Sequence, residues 1–339
     1  MSTTREWPVP HAPTGKPRLL WRVREAIRVR HYSPRTEEAY VYWVRAFVKH
    51  CGMRHPNDVG DREFAAFLTH LAVDRKVSAS TQNQAASALL FLYRAVLGTP
   101  MAWPTLVARP SVRRRLPVIM SVDEVVAVVR ALSGTSQLVA RLLYGTGLRL
   151  MEAMRLRVKD VDVALRQVTV RQGKGRKDRL TMLPDALVVD LQRHLALAQA
   201  QHRLDVSRGA GFVALPDALA RKYPTASRSW AWQWVFPATR TYEDRVTGEC
   251  RRHHLHETVI QRAFAQAVRV AGLTKRATVH SLRHAFATHL LDYGYDIRTI
   301  QELLGHQDVS TTMIYTHVLN RGVRGVRSPL DRARGNGLG

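Results

Sequence analysis

His280-Ser-Leu-Arg283-His284-Ala-Phe286-Ala-Thr-His289-Leu290 is a helical stretch with two different faces. Positions i and i+3 share a face, so the His280 imidazole and the Arg283 guanidinium converge toward a cleft, while Leu282, Phe286 and Leu290 face the core. His-x-x-Arg pairs arise often by chance, and His284 and His289 read as surplus histidines. The pair gains meaning only if the rest of the chain completes a chemical apparatus. Transfer of a phosphodiester needs a nucleophile, a base, an acid for the leaving oxygen, and cations over the phosphoryl oxygens.

Working outward, the missing parts are found on both sides. Downstream, Leu303-Leu-Gly305-His306 closes a helix with the apolar stripe Ile297, Ile300, Leu303 and Leu304. Gly305 suits its C-cap, which leaves His306 in the loop beyond. Ser310 can cap a short helix that carries Tyr315 and His317. Upstream, Thr146-Gly-Leu-Arg149 is a tight turn that delivers an arginine to a helix start, where a phosphate is already favoured. Glu152 follows on the same face and can hold Arg149 in place. Taken alone, this arginine is as readily a surface ion pair. Gly173-Lys174-Gly-Arg-Lys-Asp-Arg179 puts Lys174 at a glycine-flanked hairpin tip, where it is either a proton donor to a leaving oxygen or simply part of a basic turn.

Bulk properties point to a polyanionic partner. Lys and Arg total 52 against 27 Asp and Glu, a formal net charge of +25, which repels itself unless a nucleic acid or similar surface balances it. Cys51 and Cys250 are too few for a disulfide framework and form no Cys-x-x-Cys pair, so a reducing cytoplasmic compartment is expected. No apolar run is long enough to span a membrane, and no membrane partner is expected. His253-His254-Leu-His256 lacks a fourth ligand, and no metal or other cofactor is expected.

The periodicity predicts a mainly α chain with a small antiparallel sheet in two domains. Residues 1–16, with Pro8, Pro10 and Pro13, read as a flexible leader. Residues 17–100 read as a four-helix domain: Leu19 to Arg30; a helix after Ser33-Pro34 with Ala39, Tyr42, Trp43, Ala46 and Phe47 at helical spacing; one from Asp61 with Phe64, Phe67, Leu68 and Leu71 on one face; and one from Ser80 to Leu97 with Ala85, Leu89, Leu92, Tyr93 and Val96 inward. Residues 101–117 form a Pro-rich linker whose run Arg113, Arg114, Arg115 either straps a phosphate backbone or is solvated. The second domain spans 118–322. It opens on the capping box Ser121-Val-Asp-Glu124 and includes the strand Gln167–Arg171 and its partner Arg179–Leu183. Residues 323–339 form a C-terminal tail.

As a set, Thr-Gly-Leu-Arg149, Lys174, His280-Ser-Leu-Arg283-His284 and Leu-Leu-Gly-His306 with the downstream Tyr315-Thr-His resemble the tyrosine recombinase (phage integrase) family, in the family's order. The resemblance covers residues 117–318 and, less specifically, the helical domain, which fits the family's SAM-like core-binding domain. It implies a C-shaped two-domain clamp, a homotetramer on DNA, and a bacterial, nucleoid-associated protein. It also implies the chemistry. Tyr315 attacks phosphorus and forms a 3′-phosphotyrosine. Arg149, Arg283 and His306 stabilise the phosphoryl oxygens. His280 manages the tyrosine proton, Lys174 protonates the 5′ oxygen, and no cofactor is needed.

A second resemblance concerns an insertion at about 205–256. Ala218-Leu-Ala-Arg-Lys222-Tyr223-Pro224, Trp230-Ala-Trp232-Gln-Trp234-Val-Phe-Pro237 and Arg251-Arg-His253-His254-Leu-His256 are similar to the segment that marks integron integrases, which exchange gene cassettes using a folded single strand. Aromatics interleaved with Arg and His suit unpaired bases. Trp232, His253, His254, Lys222, Tyr223 and Pro224 are the candidate contacts, with some of the tryptophans buried and Trp232 available for stacking. Rival readings are another tyrosine recombinase of phage or dimer-resolving type, a type IB topoisomerase, and a non-catalytic DNA-binding protein. The last has no use for Tyr315.

Overall fold

A computed structural model describes residues 18–104, 117–171, 178–215, 217–306, 308, 310–313 and 315. The leader, the Arg113–Arg115 run, the Lys174 hairpin tip and the tail lie outside the described residues. The chain divides into two compact units, Met1–Arg115 and Leu116–Gly339. Among the described residues no helix is long and apolar enough to cross a membrane.

The first unit is helical: α1 (Leu19–Val29), α2 (Pro34–His50), α3 (Asp61–Val73) and α4 (Ala79–Phe91). Ser33 caps α2 by accepting from the Thr36 amide at 3.1 Å, with Pro34 in the first turn, where a missing N–H costs nothing. Phe64, Phe67, Leu68 and Leu71 of α3 are all buried, each contributing about 1.5–3 kcal/mol relative to exposure. The fourth helix widens into a π-helical turn over Leu92–Leu97 before Gly98 ends it. This turn still buries Leu92, Tyr93 and Val96. In α2 the spacing is only partly informative. Val41, Trp43, Val44 and Phe47 form the inner face, while Tyr42 is 58% exposed.

The first helix of the second unit opens on the capping box. Glu124 N–H donates to Ser121 Oγ at 3.2 Å, and Ser121 N–H to Glu124 Oε2 at 2.8 Å. It opens α5 (Val122–Arg130), followed by α6 (Gly134–Thr146) and the short α7 (Leu150–Met154). An antiparallel sheet runs β1 (Val161–Asp162), β2 (Gln167–Val170), β3 (Arg179–Met182), with Val170 opposite Arg179. The long α8 (Asp185–Ser207) leads to α9 (Asp217–Lys222), the Trp-rich turn, and a hairpin of β4 (Pro237–Glu243) and β5 (Cys250–His254). Then come α10 (Glu257–Val270), α11 (Val279–Asp292), α12 (Ile297–Leu304) and α13 (Ser310–Met313). The insertion carries the two-stranded β4–β5 hairpin. Its inward anchor is Arg252, whose guanidinium bonds both oxygens of Asp205 at 2.7 and 2.8 Å, so a buried ion pair stands where periodicity would look for apolar residues.

Candidate active site

Two backbone turns place the cations. Helix α6 ends at Gly147, left-handed at φ +66°, and a Cβ there would meet Phe286 at 2.5 Å. Only glycine fits, and the turn then starts α7 with Arg149 at its N-cap. Helix α12 ends in the same way at Gly305, φ +63°, which leaves His306 just beyond. Helix α11 lies across both ends. Its Arg283 is 1% exposed, and donates to the Gly147 carbonyl at 2.5 Å, the Leu304 carbonyl at 2.6 Å and His306 Nε2 at 3.0 Å. The sequence reading aimed Arg283 at an open cleft. Instead it lies inside, because both flanking helix ends present carbonyls that need a donor.

Glu152 is the hub of the charges. Arg149 donates to it through its amide at 2.9 Å and its guanidinium at 2.7 Å. Arg179 grips both carboxylate oxygens at 3.1 and 2.6 Å, and Arg283 lies 3.8 Å away. Burial alone would raise the Glu152 carboxyl. The Arg179 bonds and charge and the Arg149 amide and charge outweigh it and hold the group at about 2. Burial, then the nearby Arg149, pulls the Arg283 guanidinium down to about 9, which still leaves it cationic at neutral pH.

His306 accepts from Arg283 at Nε2, so its Nδ1 carries the proton and donates to Thr312 Oγ1 at 2.9 Å. Its ring lies nearly parallel to that of Tyr315, with centroids 6.5 Å apart. Tyr315 is 3% exposed among Phe286, Ala287, Leu291, Ile300 and Leu304. Burial raises its phenol, against the pull of Arg283 and Arg149. Its hydroxyl shares a 2.9 Å hydrogen bond with Nδ1 of His284, not with His280. His280 is exposed as a residue, yet its ring is crowded by His284, with centroids 4.5 Å apart. That crowding, with Arg283 and Arg149, lowers it. Burial, then His280 and Arg283, lowers His284 to about 4.

Arg149, Glu152, His280, Arg283, His306 and Tyr315 are thus brought into one connected cluster, while Lys174 lies outside the described residues. Sequence reasoning missed His284 and Arg179. His284 lies four positions after His280, on the same helix face, a signal that was available. Arg179 sits on an inverted strand. Leu180 and Met182 are exposed, whereas Thr181 is buried and donates to the Thr146 carbonyl at 2.8 Å. His289, the other surplus histidine, is buried and pairs with the Tyr144 hydroxyl at 2.8 Å.

A model of the phage integrase family matches residues 119–321, and one of the phage integrase N-terminal SAM-like domain matches residues 19–103. The chain belongs to the phage integrase family. An integrase/recombinase of Escherichia coli is 53% identical over 322 residues, covering 95% of this chain and 96% of that protein. Tyrosine recombinase XerD of Mycobacterium leprae is 34% identical over 304 residues, covering 83% and 85%. The chain is a tyrosine site-specific recombinase. Among solved structures, the fold is similar to that of lambda integrase(75-356), a dimer bound to a COC' core site (TM-score 0.60, 17% identity, covering 90% and 96%). It is also similar to that of XerH recombinase bound to palindromic difH substrate (TM-score 0.59, 19% identity, covering 88% and 81%).

A second cluster occupies the insertion. Trp230 and Trp232 flank a 3-10 turn. Trp234 is buried, with the Arg157 guanidinium 3.1 Å from its ring centroid and its Nε1 donating to the Arg252 carbonyl at 3.1 Å. Trp232 is half-buried, with Lys159 Nζ 2.9 Å from its ring centroid. His254 is buried edge-on against Trp234, whereas His253 is half-buried. Lys222, Tyr223 and Pro224 are exposed. Among the described residues no group of His, Cys, Asp or Glu is arranged to hold a metal.

Proposed function

We propose that this recombinase is an integron-type integrase that binds DNA, acts on a folded single-stranded site as well as duplex, and works as a homotetramer when two sites exchange strands. The observation that carries this reading is the insertion between α8 and α10. There a half-buried Trp232 and His253 lie in one substructure with the exposed Lys222–Tyr223–Pro224 corner. Half-exposed π-faces beside cations suit extrahelical bases, which a duplex does not offer.

The chemistry follows from the first cluster. Tyr315 attacks phosphorus, its O–P bond forms as the bond to the 5′ oxygen breaks, and a 3′-phosphotyrosine results. Arg149 meets the phosphoryl oxygens, as does His306 once its Nε2 exchanges the Arg283 bond for a proton, with Arg283 behind them. The Tyr315 proton leaves through His284 and its neighbour His280, and Lys174 protonates the departing 5′ oxygen. A partner strand's 5′ hydroxyl then reverses the step. The phosphoester bond is conserved, so the cycle needs no nucleotide.

The test has two parts. Tyr315→Phe should trap no covalent adduct on a nicked suicide substrate yet bind it with nearly wild-type affinity, because affinity comes mainly from Lys and Arg contacts. Gel shifts with the two separated strands of a cassette site should show strong preference for one folded strand. Equal weak binding of both strands with tight duplex binding would instead indicate a recombinase that acts on duplex sites alone.

A further inference from the structure

Arg179 is the most enclosed cation of the site after Arg283, with 10% of its side chain exposed. Its three nitrogens are all engaged with protein. Nε donates to the Leu303 carbonyl at 3.0 Å, and the two terminal nitrogens to the two oxygens of Glu152 at 3.1 and 2.6 Å. Gly305 lies directly against it, where a Cβ would stand 2.7 Å from Arg179 Cδ. Strand register enforces this direction. Arg179 pairs with Val170 and points to the same side as buried Thr181, while Leu180 and Met182 are left outside. A strand that turns its polar residues inward and its apolar ones outward gives up hydrophobic burial, which a packing role alone does not explain.

Arg149 contrasts with it. Its side chain is 27% exposed and, among the described residues, makes one hydrogen bond, to Glu152 Oε1. A carboxylate free to choose would take a guanidinium through both oxygens. Here the sideways grip of Arg179 engages both, and the Arg149 amide takes a further place on Oε2, so Glu152 holds the Arg149 guanidinium through only one nitrogen.

We infer that Arg179 is a positioning residue of the recombinase. Anchored by the Leu303 carbonyl and the Gly305 turn, it fixes the Glu152 carboxylate so that Arg149 keeps N–H groups free for a phosphate. This rests on the cluster being the strand-transfer site. Arg179 itself touches no substrate. Without its fork, Glu152 rotates and takes Arg149 into a two-bond pair, which points the guanidinium at protein instead of at the phosphoryl oxygens.

Arg179→Lys separates positioning from charge, since lysine keeps the cation and loses the fork. The probe is a nicked DNA suicide substrate that the wild-type protein converts to a covalent adduct, and the assay runs well below each variant's melting temperature. At saturating DNA, the single-turnover rate should fall about 100-fold, the scale of a small misplacement of a reacting group. Affinity should stay within about twofold, since the phosphate-neutralising charge is retained. Adding Arg179→Lys to Arg149→Ala should cost little more than Arg149→Ala alone, because residues acting through one another are not additive. If Arg179→Lys fails to fold, Arg179→Gln, which can still donate to one Glu152 oxygen, takes its place with the same expectations for rate and additivity. A wild-type rate in the folded variant, or a full additional loss in the Arg149→Ala background, overturns the inference. Tyr315→Phe, run alongside, reports on the underlying reading: an adduct from that variant removes Tyr315 as the nucleophile, whereas a clean control with an unaffected Arg179→Lys removes only the role of Arg179.

Discussion

Arg149 and Arg283 have the same side chain and different physics. Arg149 is partly exposed and tied to one carboxylate, so Arg149→Ala should slow cleavage by about 3 kcal/mol, the scale of losing one preorganised oxyanion donor, with little change in melting temperature. Arg283 also holds two helix ends together through the Gly147 and Leu304 carbonyls. Arg283→Ala leaves those buried acceptors unpaired, at about 1–3 kcal/mol each. It should therefore lose cleavage and stability together. Single-turnover rates and thermal melts on both variants check this, and an unchanged melting temperature for Arg283→Ala would contradict it. At the same scale, Tyr315 sits in an apolar pocket with its hydroxyl on His284. Burial in that pocket holds the phenol in its protonated form.

Among elements, the α6–α7 turn and the insertion make different demands. Gly147→Ala puts a methyl group 2.5 Å from Phe286 at a left-handed φ. Backbone strain and overpacking together should cost about 2–4 kcal/mol. Cleavage should fall with it, because the Gly147 carbonyl anchors Arg283; denaturant unfolding and adduct formation read the two effects. In the insertion, Trp232 and Trp234 should separate cleanly. Trp234→Ala removes a buried ring packed by Arg157 and His254, so it should cost about 3–5 kcal/mol of stability and impair every substrate alike. Trp232→Ala should leave the melt nearly unchanged but weaken the folded single strand by about 1–3 kcal/mol relative to duplex. Equal losses on both substrates with a large drop in melting temperature would make Trp232 part of the insertion's own core.

Across the molecule, buried neutral histidines set the response to acid. His254 is held at about 4, first by burial and then by His253, and His284 is held at about 4 as well. Unfolded, each takes a proton near 6.5. Between about 6.5 and 4 the unfolded chain binds protons that the folded chain refuses, so stability is full above this window and is lost as the pH falls through it. For His254 the loss is at most about 3 kcal/mol. Denaturant unfolding from neutral to pH 4.5 should show this decline, flattened in His254→Asn. An identical decline in that variant would place its origin elsewhere. Glu152, held at about 2, keeps its ion pairs throughout, so within the Arg149–Tyr315 cluster acid acts on His284 before it reaches Glu152.

Local signals carried much of this in the amino-acid order. Helix starts at Ser33-Pro34 and Ser121, the stops at Gly98, Gly147 and Gly305, the α3 stripe and the β2–β3 pair are each decided by residues a few positions apart, through capping, φ preference and periodicity. The candidate residues Arg149, Glu152, His280, Arg283, His306 and Tyr315 were legible for the same reason, as short motifs in order. What those motifs touch was not. That Arg283 lies buried under two helix ends, that Tyr315 bonds His284 rather than His280, that Arg179 shares Glu152 with Arg149, and that Arg252 pins a hairpin to Asp205 are contacts between residues far apart along the chain. Burial reverses the ordinary preference of a charged side chain only where a distant carbonyl or carboxylate meets it. Periodicity expects such residues at the surface, and only the folded chain supplies the partner that brings them inside.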